Sequence, residues 1–188
     1  ASSIGTMLGI SEPPPGLAAA ARLVGQDRLD REQFERLAIE YQVGHGSLSV
    51  LTGLGSEPRW PEITADKTRG LIAKALESYE FVVLDLATPL EAGLKQVGGI
   101  VDRNVATRTA LEVCDRTIAV LSADQVGVKR FCESYEQLRT LARAPILVAN
   151  RLRSSALGVR AQQQVEDAIM EFCRCEIRWF IPEDRTSC

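Results

Sequence analysis

The sequence predicts an α/β protein with a mostly parallel sheet and helices on both faces. Three observations carry the prediction. Short β-branched apolar runs recur along the chain, helix-periodic segments separate them, and the runs are continuously apolar rather than alternating, as in strands covered on both sides. The runs are SLSVL (48–52), FVVLD (81–85), TIAVLS (117–122), PILVAN (145–150) and IRWFI (177–181).

Taken in order, each helix has its own local reason. Asp30 and Gln33 suit a capping box before Phe34, Leu37, Ala38 and Tyr41, which recur at helical spacing. Thr64 can cap a helix whose apolar face is Leu71, Ile72, Ala75, Leu76 and Tyr79. A helix over roughly 102–115 buries Ala106, Ala110 and Val113. Phe131, Tyr135, Leu138 and Ala142 mark the helix before PILVAN, and Val165, Ala168, Ile169 and Phe172 the one before IRWFI. The stretches PPPG (13–16) and GLGSEPRWP (53–61) are punctuation within one domain, and VGHGS (43–47) reads as a turn that leaves His45 without a chemical role. No internal repeat or low-complexity tract interrupts the pattern.

Composition narrows the class without fixing it. With 188 residues, 45% hydrophobic and 25% charged, the chain is expected to form one soluble domain over 1–188. No apolar run approaches the roughly 18 residues of a membrane span, and no basic segment followed by an apolar core marks a signal peptide. A chain that starts at Ala1 without Met therefore reads as trimmed rather than targeted, and a cytoplasmic location is expected. The five cysteines include a CxC at Cys173 and Cys175 but no CxxC, so reduced thiols are expected rather than a zinc site. The net charge of −3 conceals an asymmetry: residues 129–160 carry seven cations against two carboxylates, leaving the other residues at −8. That basic stretch is either a solvated helix face or a surface for non-specific DNA.

Asp85, at the end of FVVLD, is the candidate that carries chemistry. In parallel α/β sheets ligands bind beyond the carboxyl ends of the strands, where Asp85, Ser122 and Asn150 fall. A carboxylate there suits either the magnesium-linked aspartate of a nucleotide hydrolase or the phospho-acceptor of a receiver domain. DLATPLEAG and LSAD imitate a receiver. A receiver also needs an acidic pair after its first strand and a Lys-Pro after its last, and PILVAN is followed by Arg151 instead.

The order of motifs resembles the MinD/ParA group of P-loop ATPases, and within it the CpaE-type pilus-assembly and septum-site proteins. FVVLDLATPL (81–90) is similar to the strand, aspartate and Pro-containing switch loop of that group, and TIAVLSADQVGVKR (117–130) to its next strand and helix start. ILVANRLR (146–153) resembles the strand ending in Asn-Arg, FIPEDR (180–185) the last strand near the base, and SIGTMLGISEPPPGLAAAARL (3–23) the segment after the second strand. The resemblance implies an incomplete P-loop NTPase-like three-layer sandwich. It also implies ATP and Mg2+ in the complete protein, Asp85 as the catalytic residue holding the metal through water, and Asn150, Arg151, Pro182 and Glu183 around the base. It implies homodimerisation, protein partners and a role in placing a septum, a chromosome or a pilus. The family's phosphate loop is missing, since no GxxxxGK[ST] occurs in the 188 residues. The expectation is therefore a piece of such a domain, without its phosphate loop and terminal helix and inactive alone, with degeneration as the alternative. Ala87-Thr88-Pro89 stands where the family has Pro-Pro-Gly, which favours a second class: a domain that has lost catalysis and serves as a protein-binding adaptor.

Overall fold

Cap chemistry starts two helices where the sequence places them. A computed structural model describes residues 4–10, 14, 16–54, 57–86, 90, 95–96, 99–100, 102–153 and 160–184. They fall into two compact units, Ala1–Val113 and Cys114–Cys188.

The first unit opens with the short helix α1 (Ile4–Met7) and with α2 (Gly16–Gly25). Helix α3 (Arg31–Leu37) starts at Asp30, whose side chain accepts from the Gln33 backbone N–H. It ends at Ala38 in extended backbone, so Tyr41 lies outside it, contrary to the helical spacing expected of that residue. The chain instead turns into a hairpin: β1 (Ile39–Val43) pairs antiparallel with β2 (Gly46–Val50), Val43 opposite Gly46. The two-residue turn is Gly44-His45, with Gly44 at φ +56, a left-handed conformation that glycine adopts without a Cβ penalty. VGHGS is thus a turn, as expected, but the SLSVL run joins no parallel sheet. Its Ser-Leu-Ser-Val alternation matches a strand solvated on one or both faces, and every β2 residue before Val50 is exposed.

After a 3-10 turn (Glu57–Glu62), α4 (Ala65–Ser78) starts at Thr64, whose hydroxyl oxygen accepts from the Lys67 N–H at 3.4 Å. Leu71 and Ala75 enter a core with Ala20, Leu29 and Phe34, against which Tyr79 and Val82 pack. Leu76, one step round the helix from Ala75, is exposed. Gly70 lets α4 approach α2, because a Cβ there would lie 2.6 Å from a Val24 methyl. Helix α5 (Val105–Val113) packs on α4 and buries Ala110 with Thr107, Thr109 and Leu111, while Val113 is exposed. Two-residue strands β3 (Lys95–Gln96) and β4 (Gly99–Ile100) pair antiparallel.

FVVLD departs most from expectation. Residues 81–86 carry no strand assignment, and Phe81 and Val83 are 83% and 93% exposed. Burial alternates along them, with Val82 and Leu84 half-buried, so one side packs and the other does not. A doubly covered strand is not what these described residues form.

The second unit realises the parallel expectation. Strands β5 (Ile118–Ser122), β6 (Ile146–Leu152) and β7 (Ile177–Pro182) lie in the order β5-β6-β7, both pairings parallel. Helix α6 (Gln125–Leu141) crosses from β5 to β6, and α7 (Ala161–Cys173) from β6 to β7. The two helices pack on each other, α6 also on β5 and α7 on β7. Phe131, Tyr135, Leu138 and Ala142, with Val165 and Ile169, are buried as the helical spacing predicts, together with Leu121, Leu147 and Ala149 from the strands. Phe172 is not: it is 70% exposed at the margin of the α7 stripe. Ile118 and Val120, which alternate with the buried Ala119 and Leu121, also face outward.

Candidate functional site

The carboxyl edge of β5-β6-β7 gathers the residues expected there from this unit. Ser122 stands opposite Asn150, the Ala123 N–H donates to the Asn150 carbonyl at 2.7 Å, and Leu152 stands opposite Pro182. Between Ala149 and Leu152 the register shifts, and Arg151 takes φ +59. The shift makes Asn150 and Arg151 a bulge that turns the chain beyond the sheet. Asn150 uses its own Oδ1 to accept from the Arg151 N–H at 2.8 Å. That bond closes the bulge, and among the described residues no partner takes the Asn150 side-chain NH2, which is open to a ligand.

Glu183, partly buried, pairs with the Arg153 guanidinium across the edge, and its N–H donates to the Leu152 carbonyl at 3.2 Å. The Glu183 hydrogen bond raises the Arg153 pKa above its ordinary value. Arg151 and Pro182 are exposed beside it.

Two residues of this edge were not singled out from the sequence. Asp124 is the N-cap of α6: its Oδ1 accepts from the Gly127 N–H at 2.8 Å, and its Oδ2 accepts a short hydrogen bond from the Ser122 hydroxyl. These bonds, the Ser122 one first, hold its carboxyl below the usual range. A Cβ on Gly127 would lie 2.3 Å from the Ser122 carbonyl oxygen, so only glycine fits. The signal was present in Ser-Ala-Asp-Gln-Val-Gly, an aspartate immediately before a helical run. Chemically, Asp124 puts a negative charge where the N-terminus of α6 would otherwise attract an anion. The edge offers hydrogen bonds to a planar polar group rather than a cradle for phosphate.

Asp85 belongs to the first unit and is exposed within residues 81–86, which carry no strand assignment. The switch-loop residues 87–89 lie outside the described residues. Among the described residues, no group of three or more His, Cys, Asp or Glu side chains is placed to hold a metal ion. In the basic stretch, Lys129, Arg139 and Arg153 pair with Glu133, Glu136 and Glu183. No helix among the described residues is long and apolar enough to cross a membrane.

The fold and edge define a parallel α/β unit with hydrogen-bonding groups beyond its strand ends. The sequence matches no family model, and no curated protein is significantly similar to it.

Proposed function

We propose that the chain is a MinD/ParA/CpaE-like ATPase-type domain that acts in spatial positioning of a septum, a chromosome or a pilus, and that these 188 residues alone do not turn over ATP. One observation carries the reading: Ser122, Asn150 and Pro182 stand at one carboxyl edge of three parallel strands, the order the motif resemblance calls for. In this reading Asn150, Arg151, Pro182 and Glu183 hold a nucleotide base, and Asp85 is assigned to a magnesium shell through water. ATP and Mg2+ belong to a form that also carries a phosphate-binding loop, and that form acts as a cytoplasmic homodimer. A complete three-layer sandwich is part of the same proposal.

The free Asn150 amide fits a base edge, whereas the carboxylate capping α6 does not fit a phosphate. One or two hydrogen bonds at about 1 kcal/mol each, added to a few apolar contacts, leave the affinity no tighter than about millimolar. Calorimetry with Mg-ATP on the 188-residue chain is therefore expected to give heats too weak for a micromolar constant. Micromolar binding or measurable turnover would overturn the assignment. In a longer chain that binds ATP, Asp85→Ala is expected to keep the nucleotide and lose turnover.

The adaptor reading stays in play because of a specific observation: Ile118, Val120, Trp179 and Ile181 expose apolar surface on the strands of the second unit. Binding of a protein partner that Asn150→Ala leaves intact and Val120→Asp abolishes would favour it over nucleotide-dependent positioning.

A further inference from the structure

Three of the chain's cysteines converge in the second unit, from both helices that cover the sheet. Cys132 lies on α6, Cys173 ends α7, and Cys175 follows two residues later. The Cys132 and Cys173 sulfurs are 3.3 Å apart, 41 residues distant in sequence, and both are free thiols. A disulfide requires about 2.05 Å, so the two sulfurs must close by about 1.2 Å to join. The two thiols differ in access. Cys132 is half-buried and lines a groove of about 490 Å³ between α6 and α7, whose other walls include Val128, Val165, Ala168 and Phe172. Cys173 is buried behind it and is not part of the groove wall.

From this arrangement we infer that Cys132 is a thiol-modification site for low-molecular-weight disulfides and that Cys173 is its resolving thiol, so that oxidation ties α6 to α7. The Cys132 thiolate attacks one sulfur of glutathione disulfide, forming a mixed disulfide and releasing one glutathione thiolate, which takes up a proton. Cys173 then loses its proton to solvent and attacks the Cys132 sulfur. That step forms the Cys132–Cys173 bond, breaks the Cys132–glutathione bond and expels the second glutathione. The protein gives up two electrons and two protons, and one glutathione disulfide becomes two glutathiones. The order of attack follows from access, since Cys132 lines the groove whereas Cys173 is buried, and that burial pushes its thiol up to about 12. Cys175, two residues from Cys173, is the competing resolver.

The test is peptide mapping of the folded chain after incubation with glutathione disulfide and acid quenching. A Cys132–Cys173 cross-link is expected, with a raised denaturation midpoint in the oxidised form that dithiothreitol reverses. Cys173→Ser is expected to stall with one glutathione on Cys132, and Cys132→Ser to form no cross-link to Cys173. Since either variant could lose its fold, the wild-type map decides independently. A cross-link to Cys175 instead, or a Cys132–Cys173 link that forms only in urea, would overturn the inference.

Discussion

Replacing Gly127 by alanine sets two physical effects against each other. Alanine is favoured over glycine in a helix by up to about 1 kcal/mol, so propensity alone predicts a gain. The local geometry predicts a loss. The new methyl would lie 2.3 Å from the Ser122 carbonyl oxygen and 2.7 Å from the Ser122 Cβ, so the first turn of α6 must retreat by about 0.7 Å to reach even a 3.0 Å contact. That movement pulls the Gly127 N–H from the Asp124 carboxylate and disturbs the Ser122 bond to the same group. Losing the cap costs about 1 kcal/mol, and weakening a charge-assisted bond about 2 kcal/mol more. Set against the propensity gain, the net is about 2 kcal/mol of destabilisation. With a urea dependence near 2 kcal/mol per molar, the midpoint falls by about 1 M. Trp179 reports this unit directly, and a Trp60→Phe background removes the other tryptophan. Asp124→Ala combined with Gly127→Ala should cost less than the two separately, because both act on one set of bonds. A midpoint that stays level or rises in Gly127→Ala would refute the close approach of α6 to the end of β5.

Further outcomes follow from the same unit. Ile169→Ala, at a side chain with 0% exposure, should cost about 2–5 kcal/mol in urea unfolding, whereas Phe172→Ala at 70% exposure should stay within about 0.5 kcal/mol. The folded Asp124 carboxyl titrates below its ordinary value of 3.8, so its contribution is present above that value and lost as pH falls through the lower, folded one; Asp124→Asn should flatten the acid limb of a stability-against-pH curve. Three of the seven cations in 129–160 are paired with glutamates, so any binding to random duplex should show a slope of log K against log salt no steeper than about −4, checked by anisotropy at several salt concentrations.

What the sequence disclosed divides along the range of the forces involved. The Asp30 and Thr64 caps were legible because an N-cap is decided within four residues. The strands at 118–122, 146–152 and 177–182 were legible because each is an apolar run joined to the next by a strongly periodic helix. The 39–50 hairpin was missed because an apolar run was given to the main sheet despite its serine alternation and the Gly44-His45 turn before it. Leu76, Val113 and Phe172 were expected to be buried, yet periodicity gives the direction of an apolar stripe and not its width. At the candidate site, the position of Ser122 and Asn150 at the carboxyl ends of their strands was readable from the apolar runs alone. An asparagine side chain that closes a loop by bonding its own backbone is an ordinary reading of Asn150, but the left-handed φ of Arg151 was not legible, because no propensity favours it. Exposure of Phe81 and Val83 was equally hidden, since a run of four apolar residues carries no information on which neighbours come to cover it.

The consecutive order β5-β6-β7 also bears on how the second unit assembles. Ile118 pairs with Ile146 and Leu147 with Ile177, so each pairing closes a loop of about thirty residues that contains a single helix, of 17 residues in the first and 13 in the second. A helix shortens the span that must be searched, so closure costs less entropy than a flexible loop of equal length. β6 takes part in both pairings, which makes residues 146–152 the seam on which either half can condense first. The transition state for this unit should therefore contain β6 with one crossover helix, the second following onto a template already in place.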